Sequence, residues 1–162
     1  VSNLKNSPIT KWDLRFIDLA KHVSQWSKDP STKVGAVIVS PDKTDVILAF
    51  NGFPIGMNDD EEIYNDREKK LSRIVHAEMN ALLLARRSVN GYCLYTWPFL
   101  PCDRCAPCII QSGIKKVVSP YATKEQLERW GKFFELSLQY FKEAGVEVVF
   151  IERFFFCDKN RI

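Results

Sequence analysis

Two short stretches carry side chains able to hold a metal and to move a proton beside it: His76-Ala77-Glu78 and Pro101-Cys102-Asp103-Arg104-Cys105. Zinc takes imidazole nitrogen and thiolate sulfur in a near-tetrahedral array, and three protein ligands leave a fourth position for water. Cys102 and Cys105 stand one helical turn apart. At the start of a helix both sulfurs can face one point, where free N–H groups and the helix dipole favour thiolates. His76, opening a neighbouring helix, completes a triangle. Glu78 then falls beside the water without having to bind the metal, the place of a proton shuttle in a hydrolysis.

The remaining cysteines leave an alternative open. Cys105-Ala106-Pro107-Cys108 is a second, overlapping C-x-x-C, so Cys108 is a possible fourth ligand or a replacement for Cys102. The Pro101-Cys102 pair favours the first spacing, and Cys108, beside Ile109 and Ile110, reads as a small core residue. A closed zinc knuckle would want a fourth ligand and leaves Glu78 unexplained. Cys93 alternates with Leu94 and reads as core, Cys157 has no evident partner, and His22 reads as a surface or boundary histidine. Five cysteines, three of them within seven residues, make a poor disulfide framework and suggest metal in a reducing compartment.

The elements that must position these groups follow from periodicity. Residues 10–27 carry Trp12, Phe16, Ile17, Leu19, Ala20 and Val23 at helical spacing, with Thr10 and Asp13 as a capping-box-like start. Residues 34–39 form an apolar run that reads as a buried strand. Residues 46–50 pair with it as a hairpin across Pro41-Asp42-Lys43. A long loop rich in turn residues spans 51–60 and runs on through a charged stretch to Arg73. Helices are predicted over 76–88, 103–111 and 125–144, the last two stopping at Gly113 and Gly145. Strands are predicted over 91–97, around Val117-Val118 and over 146–151. The order predicts an α/β fold, a five-stranded mixed sheet flanked by helices, with one parallel half.

The 162 residues fit a single domain, 1–162, and 46% hydrophobic and 27% charged residues are ordinary globular composition. Twenty-three basic against 20 acidic residues, net +3, are too balanced for a nucleic-acid coat. No apolar run approaches the ~18 residues of a membrane span. The polar start, residues 1–11, lacks a signal-peptide core, so the expected location is the cytoplasm.

His76-Ala77-Glu78 and Pro101-Cys102-x-x-Cys105 together have the form H-x-E…P-C-x-x-C of the zinc deaminases. His76-Ala77-Glu78-Met79-Asn80-Ala81-Leu82 further resembles the HAExNAI/L stretch of the cytidine and deoxycytidylate deaminase family. The segments Ser27-Lys28-Asp29-Pro30 with Val34-Gly35-Ala36, Asn51-Gly52-Phe53-Pro54-Ile55-Gly56 with Asp59 and Asp60, and Ile109-Ile110-Gln111-Ser112-Gly113-Ile114 are similar to the deoxycytidylate branch's SKDPxxxVGA, NGxPxGxxD and IIQAGI. The likeness spans about residues 10–151. Tyr95-Thr96-Trp97-Pro98-Phe99-Leu100 departs from the YVTLxP-like strand common in the family, and residues 62–73 are individual.

The resemblance implies a cytidine deaminase-like three-layer fold and hydrolytic deamination of dCMP to dUMP, feeding thymidylate synthesis. His76, Cys102 and Cys105 would hold one zinc, and Glu78 would take the water's proton, pass it to ring N3 and help the ammonia depart. Asn51 would reach the sugar hydroxyl, or be a plain turn residue. Thr32, Lys33 and Val34 would line the base or phosphate side, Ala77 and Tyr121 would touch the substrate, and Arg104 would counter the phosphate or lie on the surface. The family further implies homo-oligomers, hexamers favoured, activated by dCTP with Mg²⁺ and inhibited by dTTP. Asn51, Gly52, Gly56, Asp59, Glu62 and Arg87 would form that effector site near a subunit interface. A tRNA adenosine deaminase or other polynucleotide deaminase, which would want a broader basic face, and a non-catalytic zinc module are the competing readings.

Overall fold

A computed structural model describes residues 7–156. Helix α1 (Lys11–Ser24) starts at Thr10, whose hydroxyl accepts the Asp13 N–H while the Asp13 carboxylate accepts the Thr10 N–H, a reciprocal capping box. Asp13 does more than cap. Its other oxygen, buried, accepts the Tyr95 hydroxyl at 2.9 Å and Lys116 Nζ at 3.1 Å, tying α1 to two strands. Burial pushes the Asp13 carboxyl up, and the hydrogen bonds from Thr10, Tyr95 and Lys116 outweigh it and hold the group below the usual carboxylate range.

The five strands are β1 (Gly35–Val39), β2 (Val46–Phe50), β3 (Cys93–Trp97), β4 (Lys116–Pro120) and β5 (Glu147–Ile151), ordered β2-β1-β3-β4-β5. β1 pairs antiparallel with β2 and β3; β3, β4 and β5 run parallel. β1 is buried on both faces, which explains its unbroken apolar sequence. Ala36 and Ile38 pack toward the helices that carry the metal-binding motifs, whereas Val37 and Val39 pack with Phe16, Ile17 and Ala20 of α1. These two cores make three layers, as the resemblance implies.

Gly35 lets α1 settle on β1. A Cβ there would collide with the backbone carbonyl oxygen of Ala20 and stand 2.8 Å from the Ser24 nitrogen. Backbone cannot swing aside as a flexible side chain can. Gly35→Ala is therefore expected to cost about 2–3 kcal/mol of stability, read from the urea midpoint; an unchanged midpoint would contradict this packing.

Two departures from the periodicity-based reading lie beside the metal-binding motifs. The stretch 61–73, expected to be loop, forms two short helices, α2 (Glu61–Asn65) and α3 (Arg67–Arg73). Asp66 caps α3 by accepting the Lys69 N–H, and buried Tyr64 of α2 stacks on Phe53 with ring centroids 4.0 Å apart. Helix α4 (Ala77–Ala85) ends three residues earlier than expected: Arg86 turns left-handed, and Arg87 donates through Nη1 to the Ala85 carbonyl at 2.8 Å. Helices α5 (Cys105–Gln111) and α6 (Lys124–Glu143) complete the layer. No helix among the described residues is long and apolar enough to cross a membrane.

Candidate metal centre and its cavity

His76 is the residue preceding the first turn of α4, with extended backbone (φ −66°, ψ 150°), and its side chain makes no capping bond. The imidazole is thereby free to turn toward α5. Cys102 precedes α5, and its carbonyl accepts the N–H groups of Cys105 at 3.1 Å and Ala106 at 3.0 Å, so one helical turn separates the two sulfurs as the spacing requires. His76 Nδ1 stands 3.5 Å from Cys102 Sγ and 3.3 Å from Cys105 Sγ. The three donor atoms lie within 4.8 Å of one another.

This triangle fits zinc. Zn–S near 2.3 Å and Zn–N near 2.0–2.1 Å at a tetrahedral angle place sulfur and nitrogen about 3.6 Å apart. The donor set is the soft, mixed N/S kind that zinc prefers. Hydrogen bonding from Cys105 and from His76 lowers the Cys102 thiol to about 4, and Cys102 in turn raises His76 to about 9. The Cys102 thiolate and burial push Cys105 up. Cation binding here must displace protons and so depend on pH.

Glu78, in the first turn of α4, is 3% exposed and makes no ion pair among the described residues. Burial raises its pKa, against the pull of the His76 charge. A carboxyl so placed can hold and release a proton nearer neutrality than one in water.

A cavity of about 230 Å³ opens over this centre, with His76, Ala77, Glu78 and Cys102 in its wall. Thr32 and Val34, just before β1, and Asn51, just after β2, also line it. Asn51 is 5% exposed and heavily committed: Oδ1 accepts the Val34 N–H at 2.8 Å, and Nδ2 donates to the Thr32 carbonyl at 2.9 Å and toward Asp29 Oδ2 at 3.5 Å. It shapes the wall first, and only the second lone pair of Oδ1 remains for a ligand.

Other expected residues stand elsewhere. Lys33 and Arg104 are exposed and do not line the cavity. Nor does Tyr121, which stacks on Phe150 with centroids 5.0 Å apart. Cys108 is exposed on α5 and absent from the donor cluster, contrary to the core placement expected of it. Cys93 is half-buried against the α1 core, His22 is exposed, and Cys157 lies outside the described residues.

The loop expected to bind effectors is tied to the metal centre: Gly52 exchanges backbone hydrogen bonds with Val75, the residue before His76. Gly56 has φ +90°, Asp59 pairs with Lys28 at 2.6 Å, and Glu62 is exposed on α2. Arg87 is not brought to this loop within one chain. It pairs with Asp45 at the opposite end of β2, roughly 20 Å of strand away from Asn51.

Several further residues line the cavity, among them Arg67 and Lys70 from a basic run that the sequence alone presents as a solvated face or as charge for a small phosphorylated ligand. Lys70, 9% exposed, ion-pairs with Asp29 at 3.1 Å and donates to Ser31 Oγ at 3.0 Å. Phe99, after the cis Trp97-Pro98 bond, packs against Trp130 and Phe134 of α6. Arg67 of α3 and Arg129 of α6 also face the cavity.

Comparison with known proteins accords with this site. The cytidine and deoxycytidylate deaminase zinc-binding region matches residues 10–120. A protein of Aliivibrio fischeri described as an uncharacterized deaminase in the luxG 3′ region is 44% identical over 143 residues, 88% of this chain and 95% of that protein. The deoxycytidylate deaminase of Homo sapiens is 36% identical over 124 residues, 73% of this chain and 69% of the human protein. The crystal structure of dCMP deaminase from cyanophage S-TIM5 in apo form superposes with a TM-score of 0.67 at 26% identity, covering 89% of this chain and all of that one. With the His/Cys/Cys triangle, the buried glutamate and the mixed sheet all in place, the chain belongs to the cytidine and deoxycytidylate deaminase family.

Proposed function

We propose that the chain deaminates dCMP hydrolytically, giving dUMP and ammonia, with one zinc ion held by His76, Cys102 and Cys105. The observation that carries this reading is the buried Glu78 carboxyl beside that ligand triangle in the wall of a single cavity. When bound, zinc supplies the Lewis acidity that lets water act as a nucleophile near neutral pH. Glu78 accepts the water's first proton and delivers it to ring N3 as the hydroxyl oxygen bonds to C4, then takes the remaining proton of that C4 hydroxyl and passes it to the amine as the C4–N bond breaks and the C4 carbonyl forms. Its raised pKa suits both halves of that exchange. Thr32, Val34 and Asn51 shape the side of the cavity that takes base and sugar, with Asn51 Oδ1 accepting the sugar hydroxyl and Ala77 allowing the ring to approach. Lys33, Arg104 and Tyr121 would contact substrate only from outside the cavity as it stands.

The choice of a deoxynucleoside monophosphate rests on the deoxycytidylate deaminase relatives. Assembly into a homo-oligomer is supported by α4, whose neighbouring Leu83 and Leu84 are 64% and 42% exposed. Regulation by dCTP with Mg²⁺ and by dTTP is proposed for Asn51, Gly52, Gly56, Asp59 and Glu62, whose link through Gly52 and Val75 reaches His76 directly. Arg87 would join such a site only from another subunit. An effector must bind active and inactive arrangements unequally, so flat dCMP turnover across a dCTP and dTTP titration would remove this role.

The test of the activity is a panel of dCMP, CMP, deoxycytidine, dCTP and tRNA, followed by ammonia release. The expected result is preferential release from dCMP. Faster deamination of tRNA, or no ammonia from any member, would overturn the reading.

A further inference from the structure

From two helices outside the metal-binding motifs, we infer that Arg67 and Arg129 form a clamp for the 5′-phosphate of a mononucleotide, which makes the enzyme select nucleotides over nucleosides. The inference rests on the cavity being the substrate site.

Arg67, Lys70, Leu71 and Ile74 all face the cavity, and their spacing of three, four and seven is one stripe of a helical turn pattern. Ile74 lies two residues before His76. Arg67 stands seven residues earlier, roughly 10 Å along the helix axis. α3 thus sets Arg67 about two helical turns back from the residues that lead into the metal ligands, on the same cavity wall. Arg129 of α6 lines the same cavity, its guanidinium 4.4 Å from the Trp130 ring centroid, a stacking that limits its orientations.

The charge balance singles out these two cations. Lys70 is buried and neutralised by Asp29, so it anchors α3 instead of offering free charge. Neither Arg67 nor Arg129 makes an ion pair among the described residues. Two uncompensated guanidiniums at a cavity wall match a phosphate dianion in charge, and each presents the planar fork that binds phosphate oxygens bidentately. Leu71, Ile74 and the Phe99–Trp130 pair give the cavity an apolar lining suited to a base and sugar.

The experiment compares binding of dUMP and deoxyuridine to the zinc-loaded protein by calorimetry, for wild type, R67Q, R129Q and the double variant. Wild type should prefer dUMP. Each single variant should lose about 10-fold in dUMP affinity and the double more, with deoxyuridine affinity unchanged. In kinetics, KM for dCMP should rise with kcat nearly preserved. Unchanged dUMP affinity, or equal losses for dUMP and deoxyuridine, would overturn the clamp. So would tighter, arginine-dependent binding of an oligodeoxynucleotide with an internal cytosine, which would assign the arginines to a polynucleotide backbone. A wild type that binds dUMP through the arginines yet deaminates no dCMP would sink the proposed activity and leave the clamp standing. A wild type that deaminates dCMP with both variants unimpaired would do the reverse.

Discussion

Glu78→Gln is expected to lower dCMP turnover by at least about 100-fold while the fold, zinc content and dUMP binding persist. The amide keeps the shape of the side chain and its place in the first turn of α4. What it loses is the ability to relay one proton from water to the ring and a second, from the C4 hydroxyl, to the leaving amine. The site contains no evident substitute: His76 is committed to the ligand triangle, and Asp29, the other buried carboxylate of the cavity, is paired with Lys70. Steady-state kinetics beside zinc analysis separates loss of chemistry from loss of metal. A variant with near-wild-type turnover would remove Glu78 from the mechanism.

Cys105→Ser is expected to abolish stoichiometric zinc binding, lowering metal affinity by more than about 100-fold, since losing a direct ligand should exceed the 10–100-fold typical of outer-sphere partners. Cys105 is 1% exposed at the start of α5, 3.3 Å from His76 Nδ1, and the donor group among the described residues holds only His76 and Cys102 besides it. A serine hydroxyl does not ionise near neutral pH and is a poor, hard replacement for a thiolate. Cys108→Ala is the control: exposed and outside the donor cluster, it should retain one zinc per chain and full activity. Zinc titration of the two variants decides between the overlapping C-x-x-C pairs, and loss of zinc in Cys108→Ala would reverse the assignment.

The metal triangle was legible in the sequence because ligand geometry is compressed into short spacings: histidine and glutamate two apart, two cysteines one turn apart. The central strand was legible because burial on both faces leaves β1 uniformly apolar. α3 was not. It has seven residues, and two of those it turns toward the cavity are Arg67 and Lys70, at positions where a core helix would carry apolar groups. Leu71 and Ile74 alone are too few for a hydrophobic period to show. α6 was visible as a helix, but Arg129 and Trp130 lie on the same pattern that core packing by Phe134 and Phe141 already explains. Cys108 misleads for a local reason: its neighbour Ile109 shares the inward face of α5 with Cys105, one turn before, while Cys108 points out. The commitments of Asn51 arise from contacts 17 and 19 residues away, which no local pattern contains.

The most direct test of the central claim couples metal content to turnover. Protein stripped with chelator, then restored with zinc, is assayed for ammonia and dUMP formed from dCMP. The account predicts no turnover without metal, recovery as zinc approaches one per chain, and equal amounts of dUMP and ammonia. Full turnover by the metal-free protein, or one tightly bound zinc per chain with no deamination of dCMP, would contradict it.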